Sequence, residues 1–259
     1  MGLFRKKENV WTAPAGQISV LFRDALEQPH ILVAGSTGAG KSVLLNGLIY
    51  TALYRRPDNE PSTSYGGRSA FILIDPKRVE LAQFKKLPHT LFHAAGYDPD
   101  AWKLALRMAL NKMDARYATM EMEGLKEWTG GDLFVIIDEW ATVYKGGGKE
   151  CFNAVLRLAS EGRAAKVHLI MATQVPKASI IPTEIRENMI AKFALMCNTA
   201  TESRVIMGVK GCEDLPDPKT KGKAYGYFCL PGKNNRTLYE LPYVHQSEID
   251  RLINHWLAQ

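Results

Sequence analysis

Residues 35–42 read Gly35-Ser36-Thr37-Gly38-Ala39-Gly40-Lys41-Ser42, which fits the pattern G-x-x-x-x-G-K-[ST]. Glycines at this spacing let the backbone curl so that successive N–H groups converge on phosphate oxygens. A helix that starts at the end of such a loop adds the positive end of its dipole. Lys41 is then placed to reach the β- and γ-phosphates and Ser42 to ligate Mg²⁺; with the acidic pair Asp138-Glu139 and the polar strand end at Gln174, this gives an ATP-hydrolysing P-loop domain that uses ATP and Mg²⁺. The flanks supply the context this chemistry needs. Residues 30–35 (HILVAG) form a short apolar run that reads as a buried strand, and residues 42–55 carry apolar side chains at helical spacing.

A second chemical signal is the run Phe134-Val135-Ile136-Ile137-Asp138-Glu139. A buried strand that ends in two carboxylates delivers both to the carboxyl edge of the sheet, where ligands sit in open α/β folds. Asp138 is placed to hold Mg²⁺, and Glu139 to orient and activate the attacking water as general base. A third is Ala172-Thr173-Gln174 at the end of residues 167–173 (VHLIMAT). Gln174 is placed to contact the γ-phosphate or that water. A glutamate next to the metal aspartate favours the P-loop class with an added strand between the phosphate-loop strand and the acidic strand, as in RecA-like motors. No NKxD-like base-reading motif of the small GTPases is present.

These residues need a sheet to hold them in line. Apolar runs at residues 30–35, 70–75, 133–138, 167–173 and 191–197 read as strands, with two shorter ones around 224–230 and 237–243. Helical spacing appears over about 99–127, over 151–165 and over 247–257, while residues 57–68 and 145–149 (KGGGK) read as loops. The first of these helices opens on an Asp98 N-cap with Pro99 behind it, the last on a Ser247 cap. Strands that are apolar throughout and alternate with helices predict a mainly parallel α/β sheet covered on both faces, a RecA-like P-loop NTPase fold. A single domain over residues 1–259 is expected, with 1–16 a loose N-terminal segment.

The composition limits the rest. The 259 residues carry 33 Lys and Arg against 27 Asp and Glu, a formal charge of +6, which permits a polyanionic partner without demanding one. No apolar run reaches the ~18 residues of a membrane span, so no membrane insertion by this chain is expected, and the four cysteines form no CxxC pair, as in a reduced cytoplasmic protein. His89 and His93 are four apart but lie in a segment (PHTLFH) that reads as extended, which argues against a shared metal.

Several blocks resemble the motor domain of the FtsK/SpoIIIE DNA translocases. They include residues 28–35 entering the phosphate loop, Ile74-Asp75-Pro76-Lys77-Arg78-Val79-Glu80-Leu81, Leu87-Pro88-His89 and Met113-Asp114-Ala115-Arg116-Tyr117. Residues 158–169 with Ala172-Thr173-Gln174, Ser203-Arg204-Val205-Ile206 and the final helix extend the likeness over roughly 17–257. Val175 stands where many members carry Arg after the Gln, and nothing resembles the family's membrane-anchoring, ring-forming or winged-helix parts. The resemblance implies an ATP-hydrolysing double-stranded DNA translocase in a minimal version, serving transfer or packaging of a plasmid, mobile element or phage genome, with a membrane-associated or transfer-machinery partner. The alternatives are a conjugative coupling ATPase or a protein-secretion motor of the same superfamily. It also implies self-association into a ring, a hexamer, in which an arginine of one subunit reaches the γ-phosphate of its neighbour; Arg163 is the first candidate, with Arg157 and Arg204 behind it. Lys145, Lys149, Lys177 and Arg186 are candidates for facing DNA in the pore.

Overall fold

The computed structural model describes residues 20–54, 69–230 and 237–258. The chain runs α1 (Val20–Leu26), β1 (His30–Ala34), α2 (Lys41–Tyr54), β2 (Ala70–Asp75), β3 (Thr90–Ala95), α3 (Pro99–Glu123), β4 (Leu133–Ile137), α4 (Trp140–Glu161) and β5 (Val167–Thr173). It continues through α5 (Thr183–Asn188), β6 (Ala191–Leu195), α6 (Ala200–Met207), α7 (Pro218–Lys221), β7 (Tyr225–Cys229), β8 (Thr237–Glu240) and α8 (Gln246–Leu257).

A strand that is apolar at every position has no solvent face, so both of its sides must be covered. β1, β2 and β4 are buried throughout and lie inside one sheet of order β3-β2-β4-β5-β1-β6-β7-β8. The six strands from β3 to β6 pair in parallel, and β7 and β8 close the far edge antiparallel. β5 separates β1 from β4, the added strand expected from the Asp138-Glu139 pair. Alternate residues feed two cores. Leu32, Val135 and Leu169 pack with Trp102, Trp140 and Leu158 of α3 and α4. Ile31, Val33 and Ile136 pack with Phe22, Leu48 and Leu252 of α1, α2 and α8. His30 locks β1 to β5 at their entry: its Nδ1 accepts from Leu169 N at 3.0 Å, and burial pushes its pKa down to about 3, which keeps the ring a neutral acceptor.

The structure revises several sequence expectations. Residues 90–95 pair as the edge strand β3; their half-buried, mixed pattern hides the strand from a search for wholly apolar runs. The segment 145–149 is no loop. The helical chain starts at Trp140 and is broken only at Gly148 (φ 60°, ψ −148°), and at Gly146 the space a Cβ would need is taken by the Trp102 ring, 2.7 Å away. α3 ends at Glu123 rather than about 127 because Gly124 turns left-handed and caps it. The expected Asp98 cap is formed, by bonds from Asp100 N and Ala101 N, but α8 starts after His245 with no side-chain cap, so Ser247 lies inside the helix. The fifth strand stops at Leu195 because the Met196 carbonyl turns to the phosphate loop. α1, α5 and α6 are too short to show a clear helical period. Residues 1–16 and 57–68 lie outside the described residues.

Candidate nucleotide-hydrolysing site

The sheet delivers the phosphate loop at the carboxyl end of β1, its central strand. Gly35 N donates to Thr173 O at 3.3 Å and Ser36 N to Met196 O at 2.7 Å, so β5 and β6 clamp the loop entry from both sides. Ser36 Oγ donates to the same Met196 oxygen at 3.0 Å. Gly40 has φ +101°, and a Cβ there would stand 2.6 Å from the Cβ of Ala224, so both conformation and space require glycine. α2 begins at once with Lys41, whose Nζ donates to Gly35 O and Ser36 O at 2.8 Å each. Burial pushes the Lys41 ammonium down to about 8, with Lys77 adding to the shift and Glu139 and Asp138 opposing it.

The acidic edge is built by register. Ile74 of β2 pairs with Ile137 of β4, so the residues just past each strand end face one another. Asp138 N donates to Ile74 O at 2.9 Å, and its carboxyl is pushed up to about 7 by burial first, then by Asp75, Glu80 and Glu139, with Lys77 opposing. Glu139 is 5% exposed and holds a left-handed backbone (φ 67°, ψ 67°), a conformation that costs a non-glycine residue about 1–3 kcal/mol. Its side chain explains what the strain holds in place. Oε1 accepts from Thr173 Oγ1 at 3.0 Å and from Gln174 N at 2.9 Å, and Oε2 pairs with Lys77 Nζ at 3.2 Å. Thr37 of the loop donates to Gln174 Oε1 at 2.9 Å. The fully buried Asp75 carboxylate shapes the turn that carries Lys77, accepting from Lys77 N at 3.2 Å and Leu81 N at 3.1 Å.

Lys41, Asp138, Glu139 and Gln174 therefore converge on residues 35–42. The donor set suits a divalent ion: Ser42 offers a hydroxyl at the first turn of α2, and Asp138 is a buried carboxylate crowded by other carboxylates, a charge arrangement that a cation would relieve. Lys77 is the residue that the motif search did not assign. It lies inside a block already recognised in the sequence, but its contact with Glu139 needs the β2–β4 pairing to be known.

The arginine candidates do not join this cluster within one chain. Arg163 is exposed in the turn before β5, at the amino edge of the sheet, opposite the loop. Arg157 is committed to Asp114 at 2.6 Å and Glu161 at 3.0 Å. Arg204 is exposed on α6, which follows β6 at the loop's own edge. Lys145 and Lys149 are exposed on the helical chain around Gly148, Lys177 is exposed past the end of β5, and Arg186 bonds Thr183 at 3.2 Å. His89 stacks edge-on against Trp256 and His93 lies in β3; among the described residues no group of three or more His, Cys, Asp or Glu could hold a metal. Two blocks of the resemblance are architectural. Arg116 donates to Ala165 O and Lys166 O at 2.7 and 2.9 Å under the Trp128 ring, and His168 bridges Pro29 O and Asp132 at the amino edge.

The sequence model of the FtsK/SpoIIIE family matches residues 13–132, from ahead of β1 through the phosphate loop, β2, β3 and α3 to the start of β4. DNA translocases FtsK align along nearly the whole chain: that of Helicobacter pylori strain J99 is 30% identical over 273 residues, 99% of this chain and 31% of its own length. That of Chlorobaculum tepidum is 33% identical over 251 residues, 90% of this chain and 30% of its own. The chain is similar to the FtsK/SpoIIIE family over residues 13–132 and to FtsK DNA translocases along nearly its whole length. It spans about a third of the length of these relatives. Among solved structures, the pCW3 conjugation coupling protein TcpA superposes with a TM-score of 0.73 at 19% identity, covering 98% of this chain and 75% of TcpA. The type VII secretion ATPase EccC of Thermomonospora curvata gives 0.70 at 21%, covering 88% of this chain and 28% of EccC. These likenesses show a shared P-loop ATPase fold. Among the described residues no helix is long and apolar enough to cross a membrane.

Proposed function

We propose that this chain is an ATP-hydrolysing motor that moves double-stranded DNA, in service of transfer or packaging of a plasmid, mobile element or phage genome. The observation that carries the reading is the single network running from Thr37 in the loop through Gln174 and Glu139 to Lys77, set beside Lys41 and Asp138. The loop N–H groups and Lys41 bind and orient the triphosphate. Glu139 takes the proton of the attacking water, and Gln174 reports the state of the phosphate end to the base. Mg²⁺, held by Ser42 and Asp138, would neutralise charge on the phosphates. Duplex DNA as substrate, cytoplasmic location and assembly into a ring, a hexamer, are part of this reading, supported by the likeness to FtsK DNA translocases. In such a ring Arg163 or Arg204 of a neighbouring subunit would meet the γ-phosphate, and six copies of a chain with formal charge +6 would bring Lys177 and other basic residues to one channel.

A motor that tracks a duplex strips off a third strand bound along it. The test is displacement of a triplex-forming oligonucleotide from linear duplex, which is expected to require ATP and to weaken steeply with salt. A secretion motor would leave the triplex intact and hydrolyse ATP at one rate with or without DNA. Lys77→Met is expected to slow ATP turnover about tenfold while weakening nucleotide binding far less than loss of Lys41 does, because it releases Oε2 of Glu139 without touching the loop. Parallel measurements of kcat and nucleotide Kd check this.

A further inference from the structure

Beyond the loop and the acidic edge, one more part of the chain touches the nucleotide site. The segment from Asp217 to Ala224 lies against the phosphate loop at Gly38 and Gly40. It is a built turn: Asp217 Oδ1 accepts from Lys219 N at 2.9 Å, Asp217 O accepts from Thr220 N and Lys221 N at 3.1 and 3.2 Å, and Gly222 N closes on Pro218 O at 2.8 Å. Ala224 sits against Gly40 and accepts from Leu241 N at 2.8 Å, which ties the segment to the end of β8. This places Lys219 beside Gly38. A Cβ on Gly38 would meet Lys219 Cε at 3.2 Å and Nζ at 3.9 Å.

Resting on the nucleotide reading above, we propose that Lys219 is a second phosphate-contacting cation of the site, supplied by the same chain that carries the loop. Lys223 of the same segment is committed to Glu240 at 2.8 Å, whereas the exposed Lys219 ammonium has no acidic partner among the described residues. The local charge balance calls for it. Asp75, Glu80, Asp138 and Glu139 all act on the site from the β2–β4 side, against Lys41 and Lys77. A polyphosphate there meets a field with more carboxylates than ammonium groups. Lys219 approaches from the β6–β7 side, away from those carboxylates, and adds positive charge where the loop is open to solvent.

The test is equilibrium binding of ATPγS to the wild type and to Lys219→Met, Lys219→Arg, Lys223→Met and Lys41→Ala. Lys219→Met keeps the apolar stem and loses the charge, and is expected to bind about tenfold more weakly. Lys219→Arg and Lys223→Met are expected to bind as the wild type does. Wild-type affinity in Lys219→Met overturns the proposal. So does a loss in Lys219→Arg equal to that in Lys219→Met, since charge would then not be the operative property. Equal losses in Lys219→Met and Lys223→Met also overturn it, by tracing the effect to the fold of the segment. If the wild type does not bind ATPγS, or Lys41→Ala binds it undiminished, the nucleotide site itself is refuted and Lys219 with it; a normal wild type and a defective Lys41→Ala beside an unaffected Lys219→Met refute Lys219 alone.

Discussion

Glu139→Gln is expected to lower ATP turnover by about 10²–10⁴-fold while leaving nucleotide binding close to normal. The amide fills the same space and its oxygen can still accept from Thr173 Oγ1 and Gln174 N, so the strained turn after β4 and the Thr37–Gln174 bond have no reason to collapse. What is lost is the carboxylate proposed to take the proton from water, together with the charge that holds Lys77. The same substitution should leave the melting temperature within a few degrees of the wild type, which separates lost chemistry from lost structure. Phosphate-release kinetics alongside ATPγS binding read both quantities. Turnover at the wild-type rate would remove Glu139 as the base.

Lys41→Ala is expected to act earlier, on binding. Its ammonium is buried and is the cation that meets the loop carbonyls of Gly35 and Ser36. Removing it strips a charge-assisted contact from the phosphates, worth about 10–100-fold in affinity. It also leaves Asp138 and Glu139 with less positive charge near them, so the site repels a polyanion more strongly. The combined loss should exceed 100-fold in ATPγS affinity and about 10³-fold in turnover at fixed ATP. Isothermal calorimetry with ATPγS measures the first directly. Lys41→Arg keeps the charge but cannot fit the same pair of carbonyls with a planar fork, and should also fail.

The parts of this site that were legible in the sequence are those whose chemistry is local. A phosphate loop is eight consecutive residues, and a strand ending in Asp-Glu announces its own edge. The sheet was legible because β1, β2, β4 and β5 are apolar almost throughout, a pattern that only a doubly covered strand can afford. What escaped depends on pairings distant in the chain. Lys77 meets Glu139 because β2 lies beside β4, and Lys219 meets Gly38 because β7 returns past β6. The KGGGK segment misled for a different reason. Three successive glycines suggest a loop, yet Gly146 and Gly147 are helical and serve close packing, the first against Trp102, and only Gly148 breaks the helix. His168 and Arg116 show the converse: residues in family-like blocks that hold the amino edge of the sheet together, far from any phosphate.

The central claim is that hydrolysis at the carboxyl edge of β1 and β4 is coupled to duplex DNA. Its most direct test is the rate of phosphate release by the purified wild-type chain at saturating ATP and Mg²⁺, titrated with linear duplex. The account predicts a rate that rises severalfold to a plateau with DNA and that is lower by at least about 10²-fold at every DNA concentration in Glu139→Gln. A rate that does not change with duplex, or one that stays at the wild-type level in Glu139→Gln, would contradict it.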